Sequence, residues 1–375
     1  MIILVLTMSI IVLSGCNQNK QKEQKPINVE AVRTGKAGIS TTFAANMPPT
    51  EAVASESFNV AMLIKNEGAT DIKDEPIIVT LSGYDQTFYE AIPFVSEGLS
   101  SSRATFTKNQ AAQNDDQNIA KLTSLKGKSV LVPVGEKDMI IYALRPKKDS
   151  KNKITLPPGD YAVNLLATTC YPYQTVYVGT ICIDPNQNNP NSVETPACKV
   201  KSPITLSAGQ GGPVAINKLE EDIVFPIDEE TKKVVPKVMF KVYFENVGGG
   251  KIISRDPAAY QRECGVEDSA DLDTRKSQID LIKISAKIGN DKDAQTISCY
   301  LPDQQQKGND IKLQLTSQTN YVICKANLQV FQQGTGSSSD SINSYRGAYY
   351  TTLAITLDYG YVSDVKKKIT IKKGG

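Results

Sequence analysis

A chain of 375 residues with 42 Lys and Arg against 40 Asp and Glu carries a net charge of only +2, so it has no polyelectrolyte signature, and its overall charge implies neither nucleic acid nor an anionic surface as a partner. It contains no histidine, which excludes Ser-His-Asp and Cys-His catalysis and every His-based zinc or iron centre. With 40% hydrophobic residues the chain is long enough for two domains, each able to bury its own core.

Residues Met1 to Leu13 are almost wholly apolar and lead into Ser14-Gly15-Cys16. A helix needs roughly 20 residues to cross a bilayer, so residues 1–15 read as a signal peptide. Leu13-Ser14-Gly15-Cys16 resembles the lipobox of prokaryotic lipoproteins. That resemblance implies lipidation of Cys16 and an exported protein anchored to the cell membrane on its extracellular side. The other reading of Cys16 is a free thiol after a short buried helix. Residues 16–26 contain no large apolar side chain and read as a flexible tether.

A first β-sandwich domain is expected over residues 27–187. Phe58, Val60, Met62 and Ile64 alternate at period two and run into Asn66-Glu67-Gly68, a half-buried strand stopped by turn chemistry. Further short strands are expected at Ile39–Phe43, Pro76–Leu81, Val130–Val132 and Met139–Leu144. Between them, residues 96–128 read as a long polar surface insertion with a short helix near Ile119–Leu122. The turn Pro157-Pro158-Gly159-Asp160 followed by Tyr161–Cys170 resembles the penultimate strand of immunoglobulin-like modules, with a closing hairpin strand from Thr175 to Ile183. Residues 188–197 form a linker rich in Asn and Pro.

The second domain, residues 198–375, opens on Ser207-Ala208-Gly209-Gln210-Gly211-Gly212-Pro213. No helix N-terminus follows, so a turn or bulge is favoured over a phosphate loop. Val238, Phe240, Val242 and Phe244 then repeat the alternation 180 positions after the first copy and again reach Asn246-Val247-Gly248. Strands are also expected at Ile279–Ile284, Ile297–Leu301, Ile311–Leu315 and Tyr321–Cys324, a mobile loop at residues 333–346, and a final hairpin turning at Ser363-Asp364. The lysines from Lys366 to Lys373 suit a guarded edge strand, or a basic recognition patch.

The ends of the two domains match as well, at an offset of 188: Leu165–Tyr173 lies over Leu353–Tyr361, and Ile181–Ile183 over Ile369–Ile371. The chain is therefore expected to be a duplicated module. Cys170 and Cys182 become Asp358 and Thr370 together, which fits one bond between them across a hairpin. The remaining Cys198, Cys264, Cys299 and Cys324 allow three pairings, of which Cys299 with Cys324 and Cys198 with Cys264 is preferred. No CxxC spacing occurs, and no cofactor motif is present.

Two clusters have both a functional and a structural reading. Tyr171 and Tyr173, with Tyr359 and Tyr361, are a possible stacking platform for a sugar or peptide, or packed corner tyrosines. Asp268, Asp271 and Asp273 are a weak Ca²⁺ candidate, or a solvated acidic loop; no metal site is otherwise indicated.

The strand ending in Asn-x-Gly resembles the early strand of adhesion-type, CARDB-like immunoglobulin-like modules common in archaeal and bacterial cell-surface proteins. Gly209–Ile216 with Phe244–Gly250 is similar to a pattern from archaeal surface proteins. The resemblance implies adhesion or scaffolding and carries no catalytic residue across. The expected fold is all-β, with two tandem immunoglobulin-like sandwiches after a signal peptide and tether. The expected function is non-catalytic binding, adhesion or envelope scaffolding, toward another surface protein or a polysaccharide. The alternatives are a subunit of a pilus or secretion assembly, and a carboxylate-based hydrolase.

Overall fold

The structure is a computed structural model that describes residues 32–94, 103–107, 117–187, 196–227, 230, 232, 236–266, 271–289, 294–302, 311–314, 321–328 and 348–374. Residues 1–31 with Cys16, most of the 188–197 linker, Asp268 and the 333–346 loop lie outside the described residues.

Strands dominate. The first half holds β1 (Ile39–Phe43), β2 (Glu51–Val53), β3 (Phe58–Asn66), β4 (Ile77–Ser82), β5 (Tyr89–Pro93), β6 (Ala104–Thr107), β7 (Ile119–Leu122), β8 (Lys137–Pro146) and β9 (Tyr161–Ile183). The second holds β10 (Ile204–Thr205), β11 (Val214–Val224), β12 (Lys237–Asn246), β13 (Lys251–Ile253), the helices α1 (Pro257–Glu263) and α2 (Leu272–Gln278), then β14 (Leu281–Ile288), β15 (Gln295–Tyr300), β16 (Ile311–Gln314), β17 (Tyr321–Asn327) and β18 (Tyr349–Lys372).

The duplication is visible in the pairing. In the first half β1, β3, β8 and β5 form a four-stranded sheet with Ile39 opposite Asn66. In the second half β11, β12 and β17 follow the same order with Val214 opposite Asn246. The alternating residues Val60, Met62 and Ile64 of β3, and Val238, Phe240, Val242 and Phe244 of β12, are buried. Their period-two pattern sends these side chains to one face, as a strand requires.

The two closing hairpins do not form. β9 and β18 are each a single continuous strand, and they pair with one another antiparallel from Tyr161 opposite Ile371 to Ile183 opposite Tyr349. Ser363 and Asp364 are not a turn; they lie in the ladder opposite Thr169 and Thr168, with Thr168 Oγ1 donating to Asp364 Oδ1 at 2.7 Å. Opening both hairpins and pairing them reciprocally keeps the ladder bonds and the inward face of each strand, so the apolar pattern is served equally well. Pro172 stands opposite Gly360 at the centre of the ribbon. Their separation of 188 positions equals the repeat offset, so the centre is a pseudo-two-fold axis relating the copies.

Each half is thus completed by the other's strand. The first half of β9 pairs β4, and β7 and β6 follow β4; the first half of β18 pairs β14. Near the end of β18, Thr370 to Lys372 pair β2 in parallel, so the lysine-bearing end is not an edge there. Odd-numbered residues of both long strands face inward, including Leu165, Ala167, Leu353, Ile355, Ile369 and Ile371. Both cores therefore lie on one face of the ribbon and join into one hydrophobic cluster. At β15 the layers also meet, because Cys299 pairs toward β17 while Ile297 pairs toward β14.

Three expectations are corrected. Ile119–Leu122 is a buried strand, β7, and not a helix in a surface insertion; Ile119, Ala120, Leu122 and Leu125 are fully buried. Val130–Val132 is a tight turn and not a strand. The disulfides are Cys170–Cys264, Cys182–Cys198 and Cys299–Cys324. Cys170 and Cys182 sit twelve residues apart on one strand, about 40 Å at the usual rise, and cannot meet. Cys264 ends α1, which lies over the outer face of β9 and β4, so its bond to Cys170 ties the second half to the first. The expected Cys299–Cys324 pair is present as a directly opposed cross-strand pair.

The ribbon centre leaves no room for a side chain at Gly360, where an added methyl would lie 2.6 Å from the Ser254 carbonyl oxygen and 2.9 Å from Ile253 Cγ1. Gly360→Ala is expected to cost about 1–3 kcal/mol in urea unfolding of the oxidised protein. The control Gly159→Ala, with nothing within 4 Å of the new methyl, is expected to leave the stability within about 0.5 kcal/mol of the parent.

Candidate functional site

The ribbon centre is covered on both faces, and the residues singled out in the sequence gather there. On the inner face, Tyr171 lies opposite Tyr361 and Tyr173 opposite Tyr359. Their rings pack at 5.7–6.3 Å between centroids, edge-on or tilted. None is more than 1% exposed, so they are not a stacking platform; their role is to join the two cores. Burial pushes all four phenols above their ordinary range, with neighbouring tyrosines adding to the effect at Tyr171.

Each hydroxyl has a partner. Tyr173 donates to the Gly211 carbonyl at 2.7 Å and accepts from the Thr70 amide at 3.3 Å. Tyr361 donates to Asn246 Oδ1 at 2.8 Å and accepts from the Gly250 amide at 2.7 Å. Tyr359 shares a 2.7 Å bond with Thr175 Oγ1 and accepts from the Val214 amide at 3.2 Å. Tyr171 reaches the Ile39 carbonyl at 3.5 Å.

These partners explain the Asn-x-Gly repeat. Asn66 Nδ2 donates to the Thr70 carbonyl and Asn246 Nδ2 to the Gly250 carbonyl, both at 2.8 Å. In each copy the following glycine amide donates to the same asparagine's Oδ1. The side chain thereby substitutes for a backbone partner and closes the loop over a tyrosine. The glycine-rich stretch is the clasp between halves: Gly211 donates to the Gly35 carbonyl at 2.9 Å, and its own carbonyl accepts from the Ala69 amide at 2.8 Å. Gly211 has φ +70°, and an added methyl would lie 2.6 Å from Ala69 Cβ.

The outer face is polar. Arg255, just before α1, donates from Nη1 to Asp358 Oδ1 at 2.6 Å and from Nε and Nη2 to Glu75 Oε1 at 3.4 Å. Gln174 Nε2 also donates to Asp358 Oδ1, at 2.9 Å, and the Tyr260 hydroxyl donates to Glu75 at 3.3 Å. A groove of about 200 Å³ beside this network is lined by the Thr70–Glu75 segment, Pro172, Gln174 and Arg255. A second, of about 440 Å³, runs between β1 and the Pro213 and Gly248 turns. Glu75 and Asp358 are held by one guanidinium, an arrangement that fixes the two halves to each other.

The weak Ca²⁺ candidate resolves differently. Asp271 is the N-cap of α2, accepting from the Thr274 amide at 2.8 Å and from its hydroxyl at 3.0 Å. That backbone hydrogen bond is the main cause of its lowered pKa. Asp273 sits in the first turn, where the helix dipole favours it. Among the described residues no group of three or more Asp, Glu, His or Cys is placed to hold a metal.

An aromatic surface absent from the sequence reading lies on the outward face of the second half. Tyr243 of β12 and Tyr321 of β17 are opposed, with ring centroids 5.0 Å apart. Lys218 lies 3.9 Å over the Tyr243 ring, and Lys325 lies 4.9 Å over Tyr300. The signal was present: Tyr243 falls at an outward position between Val242 and Phe244.

No family model matches the chain, and no curated protein does. Among solved structures it is similar to the secreted serine protease VesC from Vibrio cholerae, at 7% identity and a TM-score of 0.17, over 90% of this chain and 52% of that one. It is also similar to a DUF4466 family protein from Parabacteroides merdae, at 9% identity and a TM-score of 0.18, over 86% and 99%. The chain thus spans about half the length of the first of these, and likenesses at such scores carry no argument about fold or activity.

One buried carboxyl stands apart from these networks. Glu221 faces inward on β11, is 8% exposed, and its Oε1 has no hydrogen-bond partner among the described residues. Burial pushes its pKa up to about 8, from an ordinary value of 4.5, and its charge adds to the burial that raises Tyr349 to about 12. Between pH 4.5 and about 8 the folded protein holds one more proton than the unfolded chain, so stability falls as pH rises through that window. Glu221→Gln is expected to remove this slope and to add about 1–3 kcal/mol at pH 7, read from urea midpoints across the same range.

Proposed function

We propose that the protein is exported, anchored in the membrane by a lipid on Cys16, and acts on the extracellular side by binding or scaffolding and not by catalysis. The observation that carries this reading is cysteine arithmetic. Of seven cysteines, six are consumed in three disulfides, and the seventh is the one that follows Leu13-Ser14-Gly15. Disulfides of this number belong to an oxidising compartment. A thiol that no disulfide uses, placed after an apolar leader and two small residues, suits lipid attachment.

The remainder of the molecule supports a rigid element. One core runs through both halves, and the polar groups at the ribbon centre bond to one another across the halves. Contact with a surface protein or polysaccharide would use the outward sheet face of the second half, where the half-buried rings of Tyr243 and Tyr321 lie beside Lys218. The CARDB-like resemblance points the same way.

Metabolic labelling with a clickable fatty acid tests the anchor. The parent is expected to take up label and to fractionate with membranes, and Cys16→Ala is expected to lose both. Equal labelling of the two chains would sink the reading.

A further inference from the structure

The segment Lys126–Lys137 forms a compact loop that holds apolar side chains in solvent. Its base is fixed by four bonds. The Gly127 amide donates to Asp71 Oδ1 at 2.8 Å, the Lys128 amide to the Gly68 carbonyl at 2.6 Å, the Lys126 amide to Glu136 Oε2 at 2.9 Å, and the Glu136 amide to the Lys126 carbonyl at 2.9 Å. Its tip is a tight turn in which Ser129 and Val132 exchange amide-to-carbonyl bonds at 3.0 and 3.2 Å. Val130 and Leu131 occupy the two corner positions of that turn, which Gly, Asn, Asp, Ser or Pro usually fill. They are 46% and 92% exposed, and Val134 nearby is 67% exposed.

Two observations indicate what would cover this tip. The first is charge. Lys126, Lys128 and Lys137 lie on the two arms of the loop, with Asp71 at its base, while Glu136 and Asp138 are both bridged by Arg103, at 3.1 and 3.0 Å. An aliphatic tip inside a basic collar complements an anionic lipid surface, with headgroups meeting the lysines and acyl chains meeting the tip. The second is position. A methyl added at Gly35 would lie 3.7 Å from Lys128 Nζ, so the loop stands where the chain enters the fold. Gly35 is 19 residues from Cys16, and a chain of that length reaches at most about 65 Å when fully extended.

We propose that the Val130-Leu131 turn dips into the membrane to which Cys16 is anchored, so that this end of the first half rests on the bilayer. The proposal deepens the anchored-protein reading and rests on it for the orientation.

The chain has no tryptophan, so Leu131→Trp places a single fluorophore at the tip, and Val178→Trp, at a site 42% exposed on β9, is the matched control. Both are made in the whole chain carrying Cys16→Ser and mixed with vesicles of equal parts phosphatidylcholine and phosphatidylglycerol. Indole emission from the Leu131→Trp chain is expected to shift to the blue and to be quenched by acyl-brominated lipid, while emission from the Val178→Trp chain stays water-like. Adding Lys126→Glu and Lys128→Glu to the tip variant is expected to raise the lipid needed for half the shift tenfold or more. Water-like emission from the tip variant at saturating lipid, an equal shift in both variants, or a shift produced by a surface-protein extract and not by lipid would each overturn the proposal. Because Cys16 is replaced in these chains, a failed labelling experiment removes the anchor and the orientation drawn from it but not the lipid contact of the loop, and a tip indole that ignores lipid removes the loop alone.

Discussion

The ladder between β9 and β18 is the constraint on which the rest of the molecule depends. Twenty-three residue pairs run from Tyr161 opposite Ile371 to Ile183 opposite Tyr349, and both cores pack on the same face of the ribbon. Neither half has its full complement of strands without the other, because β18 brings its end to the first half and its start to the second. A duplicated module would close twice on itself through two hairpins. Here the same bonds close once, between copies, and the ribbon centre becomes the place where the halves must fit. That is why the central tyrosines find their partners in the loops and strands of both halves, and why the polar outer face is spanned by Arg255.

The repeat was legible because it rests on period two, which depends on sequence alone. Phe58 to Ile64 and Val238 to Phe244 declare their strands and inward faces, and the 188-residue offset reappears as the spacing of Pro172 and Gly360. The exchange was not legible, because period two is indifferent to the partner. Leu165 presents the same face whether its opposite residue belongs to a hairpin or, as here, is Lys367. The expected Cys170–Cys182 bond falls for that reason, since the alignment of Cys170 with Asp358 implies it only across a hairpin, and β9 runs straight through. Ile119–Leu122 departs from its expected helix because a short apolar run does not distinguish strand from helix. No helix is expected at α1 from the apolar pattern, although Asp256 caps it and Pro257 stands at its first position.

The candidate site was legible in its residues and not in their use. The four tyrosines and the two Asn-x-Gly turns meet, but the rings are buried and their hydroxyls are already bonded, while of the two asparagines only Asn246 reaches solvent. A buried phenol needs a partner, and the asparagine loops supply it. Period two places Tyr243 outward between Val242 and Phe244, but it does not say that Tyr321 of another strand stands opposite.

Topology also orders the assembly of the molecule. The ribbon joins residues up to about 210 positions apart, so its closure carries the entropy of a very long loop and follows the more local pairings of β1 with β3 and β11 with β12. The Cys170–Cys264 bond then does what the ladder alone cannot. It joins the first half to the α1 arm of the second through a 94-residue loop, which the chain-entropy treatment values at about 4–5 kcal/mol. Cys182–Cys198 closes only 16 residues and fixes the exit of β9, a smaller effect of about 3 kcal/mol by the same treatment. The greater constraint thus falls at the helical arm, which among the described residues only the second copy shows. An exchange that sequence symmetry permits in either direction is held in one arrangement by a feature that breaks the symmetry.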